Sequence, residues 1–136
     1  MAKIETLWVG DGKSKITHTQ SGTYIFTDAP VDNHGKGEYL SPTDLVAAAL
    51  GSCMITIMNI YAVEHGMDLT GTRLVTEKVM ASDPRRIAEI HIDIYFKDKF
   101  DAKQQTILKR VAETCPVGKS LHPDLKQDVR FHFGEE

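Results

Sequence analysis

Apolar and polar positions alternate with a period of two in several short runs of this chain and follow a helical period in two longer ones. Residues 4–9 (IETLWV), 15–19 (KITHT) and 22–28 (GTYIFTD) are rich in β-branched and aromatic side chains and are separated by Gly-Asp-Gly and Gln-Ser-Gly. They predict an opening β-meander. Residues 72–80 (TRLVTEKVM) and 87–97 (IAEIHIDIYFK) predict a second pair of strands joined around Asp83-Pro84. The later strand carries the cleaner signal, with Ile90, Ile92, Ile94 and Phe96 on one face and His91, Asp93, Tyr95 and Lys97 on the other. A final strand is predicted over residues 128–133 (DVRFHF).

Between the two strand groups, Pro30, Asp32, Asn33, Gly35 and Gly37 mark a loop. Ser41-Pro42-Thr43-Asp44 then supplies a capping serine, a proline at the first helical position and a carboxylate where the helix dipole favours it. The predicted helix runs to His65, and Gly66 stops it. From Leu45 to Val63 nearly every side chain is apolar or small, so this helix lacks a wide polar face. It is either central to the fold or completed by a second subunit. The run approaches the length of a membrane span. Gly51, Ser52, Thr56 and Asn59 dilute it and no basic cluster flanks it, so a soluble core helix is the preferred expectation. A second helix is predicted from Asp101 towards Cys115, with Ile107, Leu108, Val111, Ala112 and Cys115 on one stripe. Pro116 interrupts it, and a short helical turn follows to Leu121.

The length of 136 residues suits one domain, taken here as residues 1–136, and 41% hydrophobic with 26% charged residues is ordinary for a globular protein. A formal net charge of -3 with scattered lysines offers no basic stripe, which argues against nucleic acid as a partner. The first residues lack the apolar core of a secretory signal, so the expected location is the cytoplasm. In that reducing compartment Cys53 and Cys115 are not expected to form a permanent structural disulfide. They are buried filler or they are reactive.

Both readings hold locally. Cys53 follows Ala47-Ala48-Ala49 and Gly51-Ser52, small residues that let a backbone or substrate come close. An apolar site raises a thiol pKa, so a reactive Cys53 requires a cation or hydrogen-bond donor brought in by the fold. Cys115 precedes Pro116 and stands where the backbone amides of the turn over residues 116–120 can stabilise a thiolate. Its plainer reading is the last core residue of the preceding helix. Other chemistries lack their motifs. Gly118-Lys119-Ser120 resembles the end of a phosphate-binding loop, but Glu113 occupies the required glycine position. The six histidines form no close zinc-ligand pairs with the cysteines, so neither a metal nor another cofactor is expected. No Gly-x-Ser-x-Gly elbow is present.

The segment SPTDLVAAALGSC (residues 41–53), its continuation MITIMNIYAVEHGMDL and Cys115-Pro116-Val117 together resemble the osmotically inducible protein C and organic hydroperoxide resistance family (OsmC/Ohr). The order of elements matches over essentially the whole chain. The resemblance implies an α+β fold with antiparallel sheets around a central, apolar, cysteine-bearing helix, assembled as an intertwined homodimer with a site at each subunit interface. It implies thiol-dependent reduction of organic hydroperoxides, with Cys53 as the peroxidatic and Cys115 as the resolving cysteine. A dithiol, such as that of a lipoylated protein, would restore the pair. The family's thiolate is held by an arginine paired with a glutamate just after the helix proline. Here no arginine precedes Arg73, Thr43 stands at the glutamate position, and the carboxylate is displaced to Asp44. Nine residues at about 100° each put Asp44 opposite Cys53 on a straight helix. Lys13, Lys36 or an arginine of a partner subunit are the candidate cations. Two alternatives stand beside this reading: a non-catalytic dimer of the same fold that binds a small apolar ligand, and an acyl-transfer enzyme using Cys53 with a nearby histidine base.

Overall fold

The computed structural model describes residues 3–134. These group into two compact units, one up to Val46 and one from Ala47 onward, with a long helix running across the boundary.

The first unit is the expected meander. Strands β1 (Ile4–Gly10), β2 (Lys13–His18) and β3 (Tyr24–Asp28) form one antiparallel sheet in that order. Gly10, Asp11 and Gly12 all take positive φ, at 88°, 56° and 77°, which is the backbone that the Gly-Asp-Gly sequence allows at the first turn. The sheet leaves large apolar side chains in the open, with Ile4 71% and Trp8 67% exposed. The loop beyond β3 contains a single 3-10 turn over Val31–Asn33.

Helix α1 (Pro42–Glu64) begins as its sequence dictates. The Ser41 hydroxyl accepts the Asp44 amide at 3.0 Å, and the Asp44 carboxylate accepts the Ser41 amide, also at 3.0 Å. This reciprocal box satisfies two donors that a helix start would otherwise leave open. By length and composition α1 would suffice to cross a membrane. Only part of it is covered in this chain. Leu50, Gly51, Met54, Met58 and Ala62 are buried, whereas Ala48, Ala49, Ser52, Thr56, Asn59, Ile60 and Val63 form an exposed face.

The second unit holds β4 (Arg73–Ala81), β5 (Arg86–Phe96) and β6 (Lys126–Phe133), with β5 central. The alternation in β5 fixes its orientation, because Ile90, Ile92, Ile94 and Phe96 are all fully buried while their neighbours face outward. The buried row packs in one cluster with Leu50, Met54, Met58 and Ala62 of α1 and with Leu108 and Ala112 of α2 (Ala102–Ala112). Gly51 faces the sheet. A methyl group there would lie 3.4 Å from Leu74 Cδ2 and from Thr76 Oγ1. On the outer face, Asp93 bridges β5 to β6 through His132 at 2.9 Å and Arg130 at 3.2 Å, and His91 meets Asp128 at 2.9 Å.

One strand pair departs from the antiparallel expectation. β6 runs parallel to β5, with Ile92 opposite Val129 and Phe96 opposite Phe133. The cause is the connection: α2 and the short α3 (Pro116–Ser120) carry the chain back along the sheet, so that it re-enters in the direction of β5. Strand β6 also starts at Lys126 rather than Asp128, because its first residues pair with Glu89 and Ile90.

Removing the α1 cap tests the account of this helix. Ser41→Ala is expected to lower stability by about 1 kcal/mol, read as a lower urea midpoint at unchanged m-value. An unaltered midpoint would show that the box contributes nothing.

Candidate functional site

The two cysteines come together inside the second unit. Cys53 lies near the middle of α1 on a half-buried position between the buried Gly51 and Met54. Cys115 follows the last turn of α2 and is 1% exposed. Cys53 is close enough to act on the Cys115 thiol and raise its pKa, so the two sulfurs are neighbours. Two separate elements therefore present their thiols to one another, which is the arrangement that sulfenic acid capture or disulfide formation requires.

Local sequence explains the placement of Cys115. The stripe Leu108, Ala112 and Cys115 is buried, as its spacing predicts. Pro116 occupies the first position of α3, where the missing N–H costs nothing, and Cys115 takes the extended backbone of an N-cap at φ -62° and ψ 132°. The Gly118 amide donates to Cys115 Sγ at 3.2 Å. Gly118 also has to be small: a methyl group there would stand 3.4 Å from Cys115 Sγ, 3.4 Å from Leu50 Cδ1 and 3.1 Å from Gln127 Oε1. Gln127 Nε2 donates to the Gly118 carbonyl at 3.0 Å, tying α3 to β6. The amide role of this turn was legible from Cys115-Pro116. Gln127 was not, since only the parallel pairing of β6 brings it there.

Burial pushes the Cys115 thiol pKa up, and the neighbouring Cys53 adds to the rise; the amides of Gly118 and Val117 act in the opposite direction without overcoming it. Cys115 is thus held in its S–H form. A sulfur held this way is a poor first nucleophile.

The remaining candidates lie in the first unit. Lys13 Nζ stands 3.3 Å from Asp28 Oδ2 and 3.3 Å from Glu38 Oε1, and donates to the Asp11 carbonyl at 3.3 Å. Burial disfavours its charge, but the carboxylates outweigh that and its pKa is raised. Lys36 pairs with Asp11 at 2.8 Å and is likewise raised. Asp28, which sequence reasoning did not single out, is fully buried. Its pKa is lowered, first by the Glu38 amide at 3.0 Å and then by Lys13. Both lysines thus hold carboxylates that fasten the loop after β3 to the first hairpin. Thr43 shares a hydroxyl contact with Ser41 at 3.1 Å, and the Asp44 carboxylate caps α1.

The histidines of the second unit have other partners. His91 and His132 are on the outer face of the sheet with Asp128 and Asp93. His65 stacks on Tyr61 at 3.9 Å, and His122 accepts the Asp124 amide at 3.0 Å. Among the described residues no group of three or more histidine, cysteine or acidic side chains is placed to hold a metal ion.

Comparison with known proteins agrees with the geometry. The family model described as OsmC-like protein matches residues 35–130. A protein from Psychrobacter arcticus, provisionally described as an osmotic stress induced and detoxification response protein, is 49% identical with a TM-score of 0.94, over 97% of this chain and 96% of that one. An OsmC-like protein from Mycoplasma pneumoniae superposes with a TM-score of 0.80 at 15% identity, over 98% and 96% of the two chains. The organic hydroperoxide resistance protein OhrB of Bacillus subtilis does so at 0.70 and 19% identity, over 96% and 97%. These last two show the shared fold. No curated protein matches the chain.

The raised Cys115 pKa predicts a pH effect with a definite sign. A thiol whose folded pKa lies above its unfolded value, near 9.0, contributes stability that is intact below the unfolded pKa and lost as pH rises through the folded one. Stability of the reduced protein is therefore expected to fall on the alkaline side more steeply than that of Cys115→Ser. Equal alkaline slopes in denaturant titrations would contradict the assignment.

Proposed function

We propose, from the premise that this chain belongs to the OsmC-like protein family, that it reduces organic hydroperoxides through Cys53 and Cys115. The observation that carries the proposal is the neighbouring pair of free thiols, one half-buried and one buried, supplied by different elements. A ligand-binding fold has no use for that pairing, whereas a two-cysteine peroxidase depends on it. The resemblance to hydroperoxide resistance proteins in fold supports the same reading.

The chemistry proceeds in three steps. Cys53 thiolate attacks the outer peroxide oxygen; the O–O bond breaks, the departing alkoxide takes a proton, and Cys53 becomes a sulfenic acid. Cys115 gives up its proton and attacks the Cys53 sulfur, forming the disulfide and releasing hydroxide, which leaves as water. A dithiol reductant then exchanges with the disulfide, returns both thiols and is itself oxidised. The apolar side chains around the pair, Leu50, Met54 and Val117, favour peroxides with hydrocarbon substituents.

The second monomer of a homodimer completes the picture. The exposed face of α1, with Ile60 59% and Val63 69% accessible, and the open apolar side chains of β1 are the surfaces that a second copy would cover.

The test is consumption of cumene hydroperoxide with dihydrolipoamide as reductant. Wild type is expected to turn over with a preference for the organic peroxide over hydrogen peroxide, and Cys53→Ser to be inactive. In single-turnover experiments without reductant, Cys115→Ala should still oxidise Cys53 but form no intramolecular disulfide, leaving the sulfenic acid open to further oxidation. Wild-type turnover no faster than Cys53→Ser would favour the non-catalytic, ligand-binding dimer.

A further inference from the structure

A groove of about 380 Å³ opens on the second unit beside the thiol pair, with neither cysteine in its lining. That volume lies within the range of small-molecule sites, roughly 300–1,000 Å³. Its floor is apolar and comes from three elements: Met54 of α1, Ala112 of α2, and Val129 and Phe131 of β6. Its rim is polar, with Lys119 of α3 on one side, Glu113 after α2, and Gln127 at the start of β6. A further cation stands nearby, since Lys109 Nζ lies 5.9 Å from the ring centroids of Phe131 and Phe133. The charge around the mouth is thus two lysines against one glutamate.

We propose that this groove binds an amphiphile with a single carboxylate, its alkyl chain on the Met54, Val129 and Phe131 floor and its head group at Lys119. The apolar floor accounts for the chain, because burying it removes hydrocarbon from water without leaving a polar group unpaired. The excess of lysine selects a carboxylate over a cationic head group, and Glu113 limits the affinity by repulsion. The Gln127 side chain spans the rim and holds the Gly118 carbonyl, and Gly118 donates to Cys115. Occupancy therefore presses on the turn that seats the buried thiol, while the ligand itself touches neither sulfur.

Calorimetric titration of the reduced full-length protein with decanoate and with decanamide tests the proposal, because the two probes differ in charge and share the chain. Decanoate is expected to bind at least about fivefold more tightly than decanamide and to be weakened about tenfold by Lys119→Glu. Glu113→Gln should tighten it. Cys53→Ser should bind decanoate as wild type does, which separates this groove from the thiol site and keeps the result independent of peroxidase activity. Equal binding of the two probes, or full affinity in Lys119→Glu, overturns the assignment. So does loss of binding in Cys53→Ser or competition by cumene hydroperoxide, since either places the amphiphile at the thiols.

Discussion

The contact on which the rest of this structure depends is the packing of α1 against the buried row of β5. Ile90, Ile92, Ile94 and Phe96 present a continuous apolar surface, and Leu50, Met54, Met58 and Ala62 lie in the same core cluster. Gly51 lies on the packed side of the helix, where a methyl group would just touch Leu74 and Thr76, so there is room for little more. Cys53 is carried on the same helix two residues later, so its position follows from how α1 sits on the sheet. The same sheet seats α2, and through the buried stripe of Leu108 and Ala112 it fixes Cys115. The fold sets the separation of the thiols with no covalent bond between them.

What then distinguishes the two sulfurs is environment. Cys115 is enclosed and receives the Gly118 amide, a combination in which burial prevails and the proton stays on. Cys53 remains partly open to incoming molecules. The difference in access is imposed on two chemically identical groups by helix position and a five-residue turn. The lysines that the sequence offered as activating cations are engaged with Asp11, Asp28 and Glu38, where they secure a loop.

Local signals in the sequence carried most of this. The Ser41-Pro42-Thr43-Asp44 box and Gly66 bounded α1, the isoleucine alternation oriented β5, and Cys115-Pro116 marked a capped turn; each depends on residues only a few positions apart. Non-local features stayed hidden. The parallel pairing of β6 follows from the path through α2 and α3, which no periodicity encodes. The roles of Gln127 and Asp28 depend on partners brought in by that path and by the loop at Glu38. The exposed face of α1 shows the same limit from the other side: the sequence predicted a helix without a wet face, and the single chain covers only part of it.

The central claim is that Cys53 and Cys115 act as one redox unit, and the most direct measurement is peptide mapping by mass spectrometry after adding one equivalent of cumene hydroperoxide to the fully reduced protein. The account predicts an intramolecular disulfide joining the Cys53 and Cys115 peptides, with loss of two hydrogens and no other oxidised sulfur. Free thiols at both positions, or Cys53 driven to sulfinic acid beside an unmodified Cys115, would contradict it.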